Sequence, residues 1–235
     1  MGAVPALATM VTWGSGIYGA HLTYWRQRIF RETTHGGSVT ITKASHVTSQ
    51  DDKASLRRFF RTRRTQFVQS MTDRERALAF GKMPSPLVRL CTPKKIVAGY
   101  VAVGSEVDPS RLLAEAEALG CTLALPHVTS RAAPMRFLRW ETGMPLVEGP
   151  FGLSQPLEDA EPVVPDIVLV PLLGFDDECM RLGQGAGHYD RALSLLDDAV
   201  AVGLAWSVQH SEHLPIDPWD EPMDAILTEQ SWITR

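Results

Sequence analysis

The sequence predicts a single α/β domain of three layers, in which helices cover both faces of a mainly parallel, open sheet. Segments typical of strands alternate along the chain with segments typical of helices, and this alternation indicates βαβ units. Residues 166–173, DIVLVPLL, are the most apolar segment, which predicts a central strand covered on both faces. A chain of 235 residues is long enough for one domain with a sizeable core.

The first long helix is predicted to begin near residue 51, with Asp51 or Asp52 as its N-cap. Apolar residues recur at helical spacing from Leu56 to Val68. Steps of four, four and three residues place four basic side chains on one face of this helix, namely Lys53, Arg57, Arg61 and Arg64. A second short helix is predicted over residues 72–80, before the breaker GKMPSP at residues 81–86.

The remaining elements alternate between strands and helices. Pro109 lies in the first turn of one predicted helix and Gly120 follows its end. The predicted order is a strand at 96–103, a helix at 108–120, strands at 121–126, 135–140 and 166–173, a helix at 188–198, and strands at 199–206 and 224–229.

The composition is that of an ordinary globular protein, with 44% apolar and 21% charged residues. A net charge of −4 gives no global attraction to nucleic acid or to an anionic membrane, and we expect neither as a partner. There is no apolar run of about eighteen residues that predicts a membrane-spanning helix. The cysteines Cys91, Cys121 and Cys179 form no CxxC pair and predict reduced, buried thiols in a cytoplasmic protein.

Residues 1–49 are interpreted as an N-terminal extension that is disordered, and residues 50–235 as the α/β domain. Up to residue 48 the extension holds one acidic residue, Glu32, and many Ser, Thr and Gly residues. This composition fits an organelle-targeting segment or an unused upstream start as well as a disordered tail.

The most informative segment is RLGQGAGHYDRAL, residues 181–193, which follows the predicted central strand. In an open α/β sheet, ligands bind beyond the carboxyl ends of the strands. Glycines let backbone N–H groups approach an anion, and a following helix start adds further N–H donors. Arg181 and Arg191 flank the loop with positive charge, and Asp190 offers a hard oxygen ligand for Mg²⁺.

Two interpretations of this loop remain open on the residues alone, a phosphate-binding loop and a flexible structural turn. The loop lacks the G-K-[ST] ending of a P-loop. Its GxGxG spacing also differs from the dinucleotide fingerprint, and no acidic residue ends a second strand about twenty residues later. The predicted fold is therefore Rossmann-like without the dinucleotide fingerprint.

Residues 170–193, VPLLGFDDECMRLGQGAGHYDRAL, resemble the most recognisable block of the 5-formyltetrahydrofolate cyclo-ligases, also called methenyltetrahydrofolate synthetases. That family reads approximately V-P-x-x-x-F-D and then R-x-G-x-G-x-G-Y-Y-D-R. Four further segments occur in the family's order: KASLR at 53–57, MRFLRW at 135–140, EGPFGLSQP at 148–156 and LPIDPWDEPMDAILTE at 214–229. The resemblance covers roughly residues 50–230.

The resemblance implies conversion of 5-formyltetrahydrofolate to 5,10-methenyltetrahydrofolate with ATP as co-substrate and Mg²⁺ as cofactor. ADP and phosphate are released after the formyl oxygen has been phosphorylated. Such a site mainly positions two substrates and neutralises moving charge. We expect a monomer.

The resemblance also implies roles for individual residues. Catalytic roles fall on Lys53, Arg181 and Asp190, and the Mg²⁺ ligands are Asp190 and Asp220. The ATP-binding residues are Lys53, Ala54, Ser55, Leu56, Arg57, Arg181, Leu182, Gly183, Gln184, Gly185, Ala186, Gly187, His188 and Tyr189. The substrate-binding residues are Val101, Glu106, Phe137, Trp140, Gln184, Gly185, Ala186, Gly187 and His188.

Other interpretations stay open beside these. Phe137 and Trp140 are as typical of core packing as of a pterin slot. Without the resemblance, the bases of residues 53–64 indicate a solvated helix face or an RNA-binding helix, and Asp220 an ordinary turn acid. The chain can also be a cyclo-ligase-like protein that binds folate without turnover. Two departures from the family, Ala186 and His188, bear on substrate affinity more than on reaction class.

Overall fold

The structure is a computed structural model that describes residues 49–235. Its helices are α1 (Ser49–Ser70), α2 (Asp73–Ala79), α3 (Ser85–Leu90), α4 (Ser110–Ala118) and α5 (His188–Leu193). Its strands are β1 (Ile96–Ala98), β2 (Thr122–His127), β3 (Arg136–Trp140), β4 (Val147–Glu148), β5 (Ser154–Gln155), β6 (Pro162–Val163), β7 (Ile167–Pro171), β8 (Gly174–Phe175), β9 (Arg181–Leu182), β10 (Val200–Leu204), β11 (Ala225–Leu227) and β12 (Trp232–Thr234).

Eight of these strands form one sheet in the order β12-β11-β10-β7-β1-β2-β3-β6. The five strands from β11 to β2 run parallel, with Val97 opposite Ile167 and Val202 opposite Leu169 in the register. Strands β12 and β3 are antiparallel to their neighbours. The mainly parallel open sheet is confirmed, and β7 is its buried central strand.

Helices cover both faces of this sheet, as predicted. One buried cluster joins the sheet to α1, α3 and α4 through Val68, Leu87 and Leu112. The other joins the opposite face to α5 through Ala192 and Leu193. The apolar area removed from water in these two layers is the main favourable term in folding.

Helix α1 begins at Ser49, so residues 51 and 52 lie inside the helix and the predicted N-cap there was wrong. The breaker GKMPSP was also misread, because α3 begins within it. Pro86 occupies the first turn of α3, where a missing N–H costs no helical hydrogen bond. Helix α2 matches its prediction closely, and the Thr72 and Glu75 side chains form a capping box at its start.

Two predicted elements are shorter than expected. Strand β1 ends at Ala98, and six residues later the chain turns at Gly104, where φ is +63°. Helix α5 ends at Leu193, after which Leu195 and Leu196 bond to carbonyls three residues back. The C-terminal strand β12 was not predicted.

Except for Ser49, the proposed extension over residues 1–49 lies outside the described residues, and its disorder stays a prediction. Within residues 49–235, no helix has the length and apolar character needed to cross a membrane. Cys91, Cys121 and Cys179 are buried and unpaired, which fits their interpretation as small core residues.

Candidate functional site

The candidate site lies where the order of the strands reverses. From β1 the chain continues to β2 on one side, and from β7 it continues to β10 on the other side. Ligands in open α/β sheets bind in the crevice beyond the carboxyl ends of such neighbouring strands. The segment containing Ser105 and Glu106 follows β1, while the β8–β9 hairpin and the glycine loop, residues 183–187, follow β7.

Helix α1 lies against this crevice with its basic face, as the spacing predicted. Three basic side chains of that face form hydrogen bonds to the glycine loop and to the segment after β1. These contacts run from Arg57 Nε to the Gly183 carbonyl (3.0 Å), from Arg61 Nη2 to Gln184 Oε1 (2.8 Å) and from Arg64 Nε to Ser105 Oγ (3.1 Å). These side chains therefore position the loop and are not simply a solvated face.

Glycine is required at two positions of the loop. Gly185 and Gly187 have φ values of +101° and +67°, which residues with a side chain rarely adopt. A Cβ at Gly185 would meet the Arg57 guanidinium carbon at 3.3 Å, and one at Gly187 would meet Arg191 Nη1 at 3.0 Å. The loop thus brings bare backbone against two guanidinium groups. Helix α5 has only six residues, so its dipole adds less positive potential at the loop than the longer predicted helix would have added.

Arg181 and Asp190 form an ion pair at the end of the loop. Arg181 lies on β9, and its Nη2 is 2.8 Å from Asp190 Oδ1. Its Nη1 donates to the Glu221 carbonyl at 3.1 Å, and the Glu221 N–H lies 3.4 Å from Asp190 Oδ1. Burial lowers the pKa of Arg181, and the carboxylate of Asp190 opposes this shift. The fold therefore brings Asp190 beside the segment that carries Asp220.

Lys53 reaches the same segment from the first part of α1. Its Nζ donates to Asp217 Oδ2 at 2.8 Å and also to Asp220 Oδ2. No role was predicted for Asp217, which lies three residues before Asp220 in the same proline-containing segment. Lys53 and Arg181, which are predicted to bind phosphate, thus form ion pairs with Asp220 and Asp190, which are the predicted metal ligands.

Glu106 lies at the other end of the loop. Its Oε1 accepts from Gln184 Nε2 at 3.1 Å and lies 3.7 Å from Arg64 Nη1, and its Oε2 accepts from the Val103 N–H at 3.0 Å. Burial, and then the nearby Glu106 carboxylate, raise the pKa of Tyr189 well above its usual range. Tyr189 is therefore a neutral phenol. Val101 is half-buried in the segment after β1, close in sequence to Glu106.

His188 stands at the start of α5 in a defined tautomer. Its Nδ1 lies 3.1 Å from Arg191 Nη2, which can only donate, so the proton of the neutral ring is on Nε2. This Nε2 is buried and has no hydrogen-bond partner among the described residues. Burial, together with Arg191 and Arg131, lowers the pKa of His188 and favours this neutral form.

An aromatic residue that the sequence analysis missed lies beside His188. The Phe151 ring centroid is 6.3 Å from that of His188, and the residue is 64% exposed with φ of +67°. An exposed aromatic in a left-handed conformation marks a constrained position. The signal in the sequence was its place between Pro150 and Gly152 in a short glycine-flanked segment.

A model of the 5-formyltetrahydrofolate cyclo-ligase family matches residues 49–229. The chain belongs to this family. The cyclo-ligase of Escherichia coli K12 is 32% identical over 140 residues, which are 56% of this chain and 76% of that protein. The Haemophilus influenzae cyclo-ligase is 38% identical over 97 residues, 39% of this chain, and the match spans about half (52%) of that protein.

Two solved structures of similar proteins support the cyclo-ligase fold. The NMR structure of Aquifex aeolicus 5,10-methenyltetrahydrofolate synthetase has a TM-score of 0.65 and 31% identity, covering 77% of this chain and 92% of that one. The Mycoplasma pneumoniae synthetase has a TM-score of 0.56 and 25% identity, covering 76% and 99%. All the predicted site residues of this chain lie within the matched residues 49–229.

The cyclo-ligase fold does not bring Phe137 and Trp140 to one slot. Phe137 is buried in the cluster on the α5 side of the sheet, whereas Trp140 packs against the cluster on the opposite side. Neighbouring positions of a strand alternate between its faces, so residues 137 and 140 point apart. The structure therefore favours core packing for both residues over a pterin slot.

The predicted nucleotide and Mg²⁺ sites can be compared with the chemistry of the described residues. An added Cβ at Gly183 would meet nothing within 4 Å, so the loop backbone there is open to a ligand. Residues 49–235 contain no group of three or more His, Cys, Asp and Glu that could hold a metal ion. Mg²⁺ in phosphate sites is commonly held by one or two carboxylates, with phosphate and water completing its shell, so Asp190 and Asp220 stay the predicted ligands.

Proposed function

We propose that this protein converts 5-formyltetrahydrofolate to 5,10-methenyltetrahydrofolate, consuming ATP with the help of Mg²⁺ and releasing ADP and phosphate. One observation carries the proposal. Arg57 contacts the glycine loop, and Gln184 of the same loop contacts Glu106. Arg181 pairs with Asp190 just after the loop, and Lys53 pairs with Asp220. A single loop thus joins a basic region suited to phosphates with a carboxylate suited to the N–H donors of a pterin.

The chemistry explains the need for ATP. A formamide oxygen is a poor leaving group, whereas its phosphate ester is a good one. Transfer of the γ-phosphoryl group to the formyl oxygen gives ADP and an activated carbon. Nitrogen 10 attacks that carbon and loses its proton, and phosphate leaves as the five-membered ring closes to the methenyl cation.

The residues of this chain position the reactants and neutralise charge. Lys53, Arg57 and Arg181 balance the phosphate oxygens, and the loop backbone donates to them. Asp190 and Asp220 would hold Mg²⁺, which neutralises phosphate charge when bound. Glu106 orients the pterin, with Val101 beside it, and His188 lines the loop near Phe151.

A spectrophotometric assay tests the proposal directly. With ATP, Mg²⁺ and 5-formyltetrahydrofolate, near-ultraviolet absorbance of the methenyl product is expected to rise together with an equal amount of ADP. A protein that binds formylfolate but forms neither product is a binder without turnover. Binding to RNA with a steep salt dependence would favour the nucleic-acid alternative, although Lys53 and Arg64 are buried against the domain.

The metal ligands give a separate prediction. Asp190→Asn and Asp220→Asn are each expected to lower activity at least about tenfold, and excess Mg²⁺ should recover part of it, since a hard oxygen ligand has been lost. The rate is measured as a function of Mg²⁺ concentration. The control is Asp73→Asn, which removes an exposed carboxylate of an ion pair on α2. Full activity of Asp220→Asn at low Mg²⁺ would place the metal elsewhere.

Two accompanying expectations stay predictions. The buried, unpaired thiols of Cys91, Cys121 and Cys179 support a reducing, cytoplasmic location. The monomeric state is untested, and gel filtration of the purified chain measures it.

A further inference from the structure

Lys53 lies between two carboxylates, of which only Asp220 has a role in the proposed function. The Lys53 side chain is 5% exposed, and those of Asp217 and Asp220 are each 13% exposed. An ammonium group so poorly hydrated needs a charged partner. If Asp220 binds a metal ion, Asp217 is the remaining carboxylate that can hold Lys53.

A tight turn fixes the two carboxylates relative to each other. The Asp217 N–H donates to Asp220 Oδ2 at 2.7 Å, and the Asp220 N–H donates to the Asp217 carbonyl at 3.0 Å. Pro218 lies within this turn and restricts its backbone. Lys53 Nζ donates to this same Asp220 Oδ2, and it also donates to Asp217 Oδ2.

We propose that Asp217 is a positioning residue, which holds Lys53 in place and so leaves Asp220 available to Mg²⁺. Without Asp217, Lys53 has Asp220 as its single carboxylate partner in this turn. Mg²⁺ must displace the ammonium group of Lys53 from Asp220 in either case, and Asp217 then gives that ammonium group a second carboxylate partner. Asp217 thus lowers the cost of binding the metal at Asp220 beside Lys53. This inference rests on the proposed function, because it takes Asp220 as a metal ligand.

The test is a double-mutant cycle on Mg²⁺ binding. Titration calorimetry of ADP at a series of Mg²⁺ concentrations gives the apparent Kd for Mg²⁺, independently of turnover. Asp217→Asn, which keeps an acceptor for Lys53, is expected to raise this Kd about fivefold, a size typical of contacting residues. In a Lys53→Met background, the same substitution is expected to raise it less than about twofold, because the competing ammonium group is gone.

The cycle separates positioning from simple electrostatics. Loss of a negative charge near the metal weakens Mg²⁺ binding in both backgrounds, whereas a positioning role requires Lys53. An equal rise in both backgrounds, or none in either, would overturn the inference. Asp217→Glu keeps the negative charge, and this variant is expected to keep most of the wild-type affinity for Mg²⁺. Asp73→Asn on α2 serves as a matched control. Wild type that binds no ADP at all overturns the proposed function and this inference with it.

Discussion

Replacing Arg181 by alanine is expected to reduce ATP-dependent turnover about a hundredfold or more and to lower the free energy of unfolding by about 2–4 kcal/mol. The side chain is buried, pairs with Asp190 and holds the Glu221 carbonyl. Its removal leaves Asp190 without a counter-ion among residues 49–235, and breaking one partner of a buried pair costs about 3–5 kcal/mol. The expected loss is somewhat smaller here because Asp190 remains 22% exposed.

Denaturant unfolding and steady-state kinetics measure these two losses separately. Arg139→Ala is a matched control, since Arg139 pairs with Glu141 and Glu161 on an exposed surface, where ion pairs contribute about 0–1 kcal/mol. Arg181→Lys keeps the charge but not the two-armed geometry, and it should recover stability better than turnover. A stable Arg181→Ala protein with unchanged use of ATP would remove Arg181 from the phosphate site.

The elements predicted well are those with strong local patterns. Strands β2 and β7 and helix α4 have continuous apolar runs or clear helix boundaries, and they appear where the sequence placed them. The elements missed depend on distant partners. The two-residue strands β8 and β9 exist only because they pair with each other. Strand β12 exists because β11 offers it an edge.

The same division applies to the candidate site. The basic face of α1 follows from residue spacing alone, and the structure places Arg57, Arg61 and Arg64 against the loop or the segment after β1. Asp217 and Phe151 were missed because their positions depend on where one turn meets α1 and another meets His188 at the start of α5. In the sequence, each is one of several polar or aromatic residues in a turn, with no periodic pattern to single it out.

Lys53→Ala is expected to raise the Michaelis constant for ATP, or to lower turnover, about ten- to a hundredfold. The loss of one charge-assisted contact in a partly dehydrated site costs about 1.5–3 kcal/mol, which corresponds to that range. The substitution also leaves the carboxylates of Asp217 and Asp220 side by side without their cation. Their negative charge then repels phosphate oxygens and adds to the loss. Binding of formylfolate near Glu106 should weaken far less.

Glu106→Gln is expected to give the opposite pattern, with formylfolate affinity falling about tenfold and the Michaelis constant for ATP changing little. The amide keeps the shape of the carboxylate and can still accept from the Val103 N–H, but it offers the pterin a weaker acceptor. Steady-state kinetics that vary each substrate in turn measure both variants. Because Lys53 and Glu106 contact different parts of the site, their effects must separate by substrate if the loop joins a nucleotide end to a folate end. Effects of both variants on the same substrate would contradict this division.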